Sequence, residues 1–157
     1  MYSIFMQDRE SWTTGALVWH LSLRWRAGVD RALAHLGLTH AQYSVLAPLH
    51  SLVRAGERPS QRELAEQTGL QPIYISKLVR ALERSGFVSS ERDTRDARAV
   101  RLDLTKEGHR TALQAKEIVR HLDHENTRAL GGEGGREIAE LHRALVALLD
   151  ATDAADE

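Results

Sequence analysis

Apolar residues recur at helical spacing from Ser11 to Leu36, through Leu17, Leu21, Trp25, Val29, Ala32, Leu33 and Leu36. They predict one long amphipathic helix that Gly37 stops. Thr39 is placed to cap a second helix over His40 to Arg54, with Tyr43, Leu46, Ala47, Leu49 and Val53 along it; Gly56 and Pro59 mark the following loop. Ser60-Gln61-Arg62-Glu63 has the form of a capping box, opening a short helix whose buried face begins at Leu64 and Ala65. Thr68-Gly69-Leu70 supplies a turn, and Pro72 suits the first position of the next helix, where its missing N–H costs nothing. Ile75, Leu78, Val79 and Leu82 form the buried stripe of that helix, and Gly86 ends it.

The period then falls from 3.6 to 2. Phe87-Val88 opens a short strand, and Val100, Leu102 and Leu104 alternate with Arg101 and Asp103 in a second. Glu91 to Arg98 reads as a polar hairpin tip, and Thr105 as the cap of a helix reaching about Leu130. Gly131 to Gly135 breaks that helix; without a preceding strand or a Lys-Ser/Thr ending it is not a phosphate loop. A last helix is expected from about Arg136 to Leu149, followed by a frayed tail over 151–157.

The predicted order is α-α-α-α-β-β-α-α, a mainly α fold with a small β wing. Residues 37–105 form a winged helix-turn-helix, and residues 1–36 and 106–150 a helical region for dimerisation. The end helices carry more apolar surface than a small domain covers by itself, so pairing with a second copy is expected.

Hydrophobic residues make up 42% of the 157-residue chain and charged residues 27%, a globular balance. There is no cysteine, which excludes disulfides, thiolate metal sites and cysteine nucleophiles. No apolar run approaches the ~20 residues of a membrane span. The opening MYSIFMQDRE is too short and acidic for a signal peptide, so a cytoplasmic location is expected. The net charge of −1 is unevenly spread: Arg54 to Arg110 holds 12 Lys+Arg against 9 Asp+Glu, a local +3, flanked by arms that sum to −4.

An excess of this size is modest, and it is the helix-turn-helix that points to double-stranded DNA. A major groove admits one α-helix. Gln71, Ile73, Tyr74, Ser76 and Lys77 face the base edges in such a docking: Gln71 suits adenine, Lys77 guanine or a phosphate, and Ile73 and Tyr74 thymine methyls. Arg80 and Arg84, further along, suit phosphates, as do Ser60 and Gln61 at the preceding helix N-terminus. In the wing, Arg92, Arg95 and Arg98 alternate with Asp93 and Asp96. Arg95 is the expected minor-groove contact, and Asp93 or Asp96 the expected partner that pairs with Arg98. Taken singly, each helix residue is more readily solvated surface and the wing as readily a salt-bridged turn; the box, turn glycine, proline start and wing together favour DNA.

The stretches SQRELAEQTGLQPIYISKLVRALERSGFV, RDTRDAR and VRLDLTKEG resemble the MarR family of transcriptional regulators. The wing pattern Asp93, Arg95, Asp96, Arg98 and the following Leu104, Thr105, Gly108 are its most specific marks, and GLTHAQYSVL sits where that family places its second helix. The resemblance implies a triangular homodimer with interlocked end helices that reads a palindromic operator. It also implies a repressor released by a small aromatic or phenolic effector bound between the dimerisation helices and the winged domain. Gln71 departs from the pattern, standing where Ser or Asp is the usual cap.

Trp12, Trp19 and Tyr43 are candidates to line an effector pocket, whereas Trp25 lies on the apolar stripe and reads as interface core. His121 and His124 lie three apart on one helix face, but Asp123 and Glu125 beside them fit a solvated face, and no metal or other cofactor is expected. No nucleophilic triad, metalloprotease motif or nucleotide fingerprint is present, so the chain does not read as an enzyme. The competing expectation is a winged domain that binds protein and not DNA, with Lys77, Arg80 and Arg95 facing a partner or solvent.

Overall fold

The computed structural model describes residues 8–96, 98–132 and 134–154. Residues 1–7, which carry most of the leader reading, and 155–157 of the expected tail lie outside the described residues. The chain divides into two compact units, Met1–Lys116 and Glu117–Glu157.

The first unit starts with a 3-10 turn, Arg9–Ser11, and α1, Thr14–Leu33. Thr13 caps α1 by accepting the Ala16 N–H at 3.2 Å, so the helix begins after Ser11 and not at it. A 3-10 turn, Ala34–Leu36, carries the chain to Gly37, whose φ of 70° is the left-handed stop expected of a glycine. α2 spans His40–Arg54 behind a capping box in which Thr39 and Gln42 satisfy each other's backbone N–H groups. Pro48 lies inside α2, where proline normally disrupts a helix. Its neighbours Val45, Leu46 and Leu49 are fully buried, and that packing holds the segment helical.

α3, Gln61–Thr68, and α4, Pro72–Arg84, form the helix-turn-helix on α2. The turn passes through Gly69 at φ 67°, a conformation that side chains with a Cβ resist. β1, Val88–Arg92, pairs antiparallel with β2, Val100–Leu104, in the register Val88↔Leu104 to Arg92↔Val100. Glu91 and Arg92, expected in the hairpin tip, are therefore the last residues of β1. β2 faces inward through Leu102 and Leu104, and its Leu102 N–H donates to the Pro59 carbonyl at 2.8 Å, extending the pairing onto the loop before α3.

α5, Lys106–Thr127, starts behind Thr105. The Thr105 hydroxyl accepts the Gly108 N–H at 2.9 Å and donates to the Gly86 carbonyl at 2.6 Å, joining the end of α4 to the start of α5. The Gly108 backbone is pressed onto Phe87: a Cβ there would overlap the Phe87 carbonyl oxygen and lie 2.8 Å from its carbonyl carbon. The glycine of the L-T-x-x-G pattern is thus a steric requirement of this junction.

Where α2 meets the first half of α5, His50 is buried to 2% exposure. Its Nδ1 accepts from Lys116 Nζ at 3.0 Å, Lys116 also reaches Ser51 at 2.9 Å, and the His109 ring stands edge-on at 5.6 Å. His50 Nε2 has no hydrogen-bond partner among the described residues. Burial, then the charge of Lys116, lowers the imidazole pKa below its usual value.

In the second unit the α-helical part of α5 ends at Thr127, and a 3-10 turn, Arg128–Leu130, completes the expected span. α6 is Arg136–Asp153, running past Leu149 into the segment expected to fray. No residue of α6 is buried.

Candidate nucleic-acid interface

α4 separates its two faces cleanly. Ile75, Val79 and Leu82 are buried against the winged core, while Ile73 and Tyr74 are 74% and 59% exposed. Gln71, Lys77, Arg80 and Arg84 are exposed on the same outer side, and Ser76 is half-buried. Ile73, Ser76, Lys77, Arg80 and Arg84 edge one open hollow along the helix. The Gln71 side chain makes no cap hydrogen bond, so the amide is not committed to its own helix.

Ser60 at the start of α3 is more occupied than its candidate role requires. Its hydroxyl accepts the Glu63 N–H at 3.2 Å, and its own N–H donates to Glu63 Oε2 at 2.6 Å. Gln61 is half-buried beside it. The Ser60 N–H bond is the main reason the Glu63 carboxyl titrates below the usual range.

The wing tip is built by two short aspartate turns. Asp93 Oδ1 accepts the Arg95 N–H at 2.8 Å, and Asp96 Oδ1 accepts the Arg98 N–H at 3.0 Å. The Asp93 N–H donates to Ala99 and the Ala99 N–H to Asp96, closing the loop. The expected side-chain pairing of an aspartate with Arg98 is not what holds the hairpin. Asp96 engages the Arg98 backbone, and the second oxygen of Asp93 accepts from Arg101 Nε at 2.8 Å. The Arg95 N–H, then Arg101, holds the Asp93 carboxyl below its usual pKa. Arg92, Arg95 and Arg98 are left exposed.

Two classes of cation result. Arg58 pairs with Asp103 at 2.6 Å, and Arg101 with both Asp93 and Glu63. Among the described residues, no ion pair engages Lys77, Arg80, Arg84, Arg92, Arg95 or Arg98. These six occupy the outer side of α4 and the wing, within the same compact unit.

Sequence reasoning missed Arg101 and the second role of Glu63. The alternation of β2 gave Arg101 no special status, and only the approach of β2 to α3 brings the two together. The other candidates lie elsewhere. Trp12 packs its ring 4.6 Å from His20, Trp19 is 63% exposed on α1, and Tyr43 is half-buried on α2, where burial raises its hydroxyl pKa. His121 and His124 are exposed on α5, and among the described residues no three His, Cys, Asp or Glu side chains converge as a metal site. No helix among the described residues is long and apolar enough to cross a membrane.

Comparison with known proteins matches residues 38–100 to the MarR family model. A Bacillus subtilis (strain 168) protein, the uncharacterized HTH-type transcriptional regulator YdcH, is 33% identical over 109 residues, covering 69% of this chain and 74% of that one. Among solved structures, the Staphylococcus aureus MepR–DNA complex superposes with a TM-score of 0.78 at 20% identity, covering 90% of this chain and 98% of MepR. The transcriptional repressor CouR, bound to a 23-mer DNA duplex, gives 0.72 at 28% identity over 94% and 96% of the two chains. The winged helix-turn-helix described above, its wing sequence and these likenesses place the chain in one group: it belongs to the MarR family.

Proposed function

We propose that this protein is a transcriptional regulator that binds double-stranded DNA as a homodimer. α4 enters a major groove, with Gln71, Ile73, Tyr74, Ser76 and Lys77 toward base edges and Arg80 and Arg84 toward phosphates. The wing reaches the adjacent minor groove through Arg95, flanked by Arg92 and Arg98. The observation that carries this reading is that six cations, Lys77, Arg80, Arg84, Arg92, Arg95 and Arg98, stand exposed on the outer side of the recognition helix and the wing with no intramolecular ion pair among the described residues. Phosphates supply the counter-charge that the chain does not. MepR and CouR, two proteins of the same fold, were solved on DNA.

Residues 37–105 act as the reader, and the end helices as the dimerisation region. Leu17, Val18 and Leu21 on α1, and Leu141, Leu145, Leu148 and Leu149 on α6, are exposed, and a second copy is the partner we assign to them. Twofold symmetry then implies a pseudo-palindromic operator with half-sites ~34–36 Å apart. We assign to the dimer the role of a repressor released by a small aromatic or phenolic effector, with Trp12, Trp19 and Tyr43 as lining candidates. Such release requires that the effector favour a state of lower DNA affinity.

Selection of bound sequences from random duplexes tests the central reading: it should return a pseudo-palindrome, with log affinity falling against log salt by about 0.9 per neutralised phosphate. Weak, sequence-blind binding would refute it in favour of a protein-binding module. On the selected duplex, an aromatic-compound screen should find ligands that both raise the melting temperature and weaken DNA binding. A screen in which no compound does both removes the effector.

A further inference from the structure

We propose that Arg101 is a positioning residue that ties the tip of the wing to the N-terminus of α3, presenting the minor-groove and major-groove contacts as one rigid unit. The inference rests on the DNA-binding role of the wing argued above.

The tie can be followed atom by atom. The Ser60 N–H, at the start of the helix-turn-helix, donates to Glu63 Oε2 at 2.6 Å. Arg101 Nη1 donates to the same oxygen at 2.7 Å, and Arg101 Nε donates to Asp93 Oδ2 at 2.8 Å. The other Asp93 oxygen holds the Arg95 N–H at 2.8 Å. One guanidinium therefore stands between a carboxylate of α3 and the carboxylate that shapes the backbone at the DNA-contacting arginine. The base of the wing is anchored separately, by the Leu102–Pro59 backbone bond and the Arg58–Asp103 pair; Arg101 carries the tie onward to the tip.

Arginine suits this place because its planar fork directs donors at two acceptors at once, which the single ammonium of lysine does not reproduce. Glu63 serves both partners because a carboxylate oxygen accepts more than one hydrogen bond. A two-stranded ribbon has little stiffness of its own. Part-exposed ion pairs add little to folding stability. The expected signature is consequently lost DNA affinity in a folded protein, because a preorganised contact surface avoids an ordering cost on binding.

A double-mutant cycle on the selected operator duplex, at fixed salt, separates this role from a merely structural one. Arg95→Ala alone should weaken binding about tenfold or more. Arg101→Gln alone should weaken it about fivefold, but less than about twofold further in the Arg95→Ala background, because its effect passes through Arg95. Arg101→Lys should not rescue. Equal losses in the two backgrounds overturn the proposal. If Arg95→Ala keeps full affinity, the wing reading itself falls and this proposal with it. Should Arg101→Gln fold poorly, Glu63→Gln takes its place, since glutamine also completes a capping box while losing the charge that holds Arg101. The same coupling to Arg95 is expected from it, and its absence is equally fatal.

Discussion

In the winged unit Leu33, Val45, Leu46, Leu49, Leu64, Ile75, Val79, Leu82 and Leu102 are wholly enclosed, whereas α6 carries Leu141, Leu145, Val146, Leu148 and Leu149 without burying a single residue. α2 and α4 of the winged unit and α6 are amphipathic helices in which about half of the residues are apolar. In the winged unit α2, α3, α4 and the two strands close over one another's apolar faces. α6 spans Arg136–Asp153, and in proteins an amphipathic helix takes most of its stability from packing of its apolar side. The contrast teaches that an apolar stripe specifies a face to be buried but not which chain buries it. The winged unit completes its own core, and the proposed second copy completes α6.

The largest effect that can sharpen this contrast is a cavity in the winged core. Leu46→Ala or Leu64→Ala should cost about 2–5 kcal/mol in denaturant unfolding, because both side chains are fully enclosed. A loss as small as that of a surface substitution would mean the unit is not packed as described.

Gly108→Ala comes next, at about 1–3 kcal/mol or somewhat more, because the added methyl collides with backbone at Phe87 and not with a movable side chain. Leu113→Ala, on an exposed position of the same helix, is the control and should change unfolding by no more than about 0.5 kcal/mol.

Substitution on α6 should act on assembly and not on the core. Leu145→Glu combined with Leu149→Glu places charge on the exposed apolar side. Sedimentation should then report a single subunit, while circular dichroism shows the winged unit still folded. A double variant that remains fully dimeric would break the comparison at its weaker side.

The smallest effect is a pH dependence centred on His50. Burial and the neighbouring Lys116, His109 and Arg54 disfavour its protonated form, so the folded pKa lies below the ordinary value of about 6.5. On acidification the unfolded chain takes up the proton first, so this contribution to stability is present at neutral pH and is lost as pH falls below about 6.5. The melting temperature should decline between about pH 7 and about pH 5, and the slope should flatten in His50→Leu. An unchanged slope in that variant would assign the titration to another group.

Some of this molecule is legible residue by residue. The capping box of Ser60 and Glu63, the turn at Gly69, the proline start of α4 and the change of period at Phe87 are local signals, each governed by neighbours within a few positions. The bounds of α2 and α4 and the existence of the hairpin follow from them. Pro48 runs the other way, since a local rule that forbids it inside a helix yields to the burial of Val45, Leu46 and Leu49 around it. The candidate interface divides similarly. The arginines of the wing are visible as an alternation with aspartate, but their partners are not, and Asp93 turns to Arg101 in place of Arg98.

The sequence by itself determined the elements, their order and the chemical character of the outer side of α4, because periodicity, capping and charge are properties of a short stretch of chain. Only the tertiary structure decided which cations of the winged unit are held by ion pairs, as Arg58 and Arg101 are, and which have none among the described residues, as Lys77, Arg80 and Arg95 do. Arg101 and Glu63 are 38 positions apart and meet only when β2 closes on α3. The collision that makes Gly108 obligatory likewise exists only once the start of α5 lies on Phe87. Pairings of this kind depend on distances through space, which no local pattern of residues encodes.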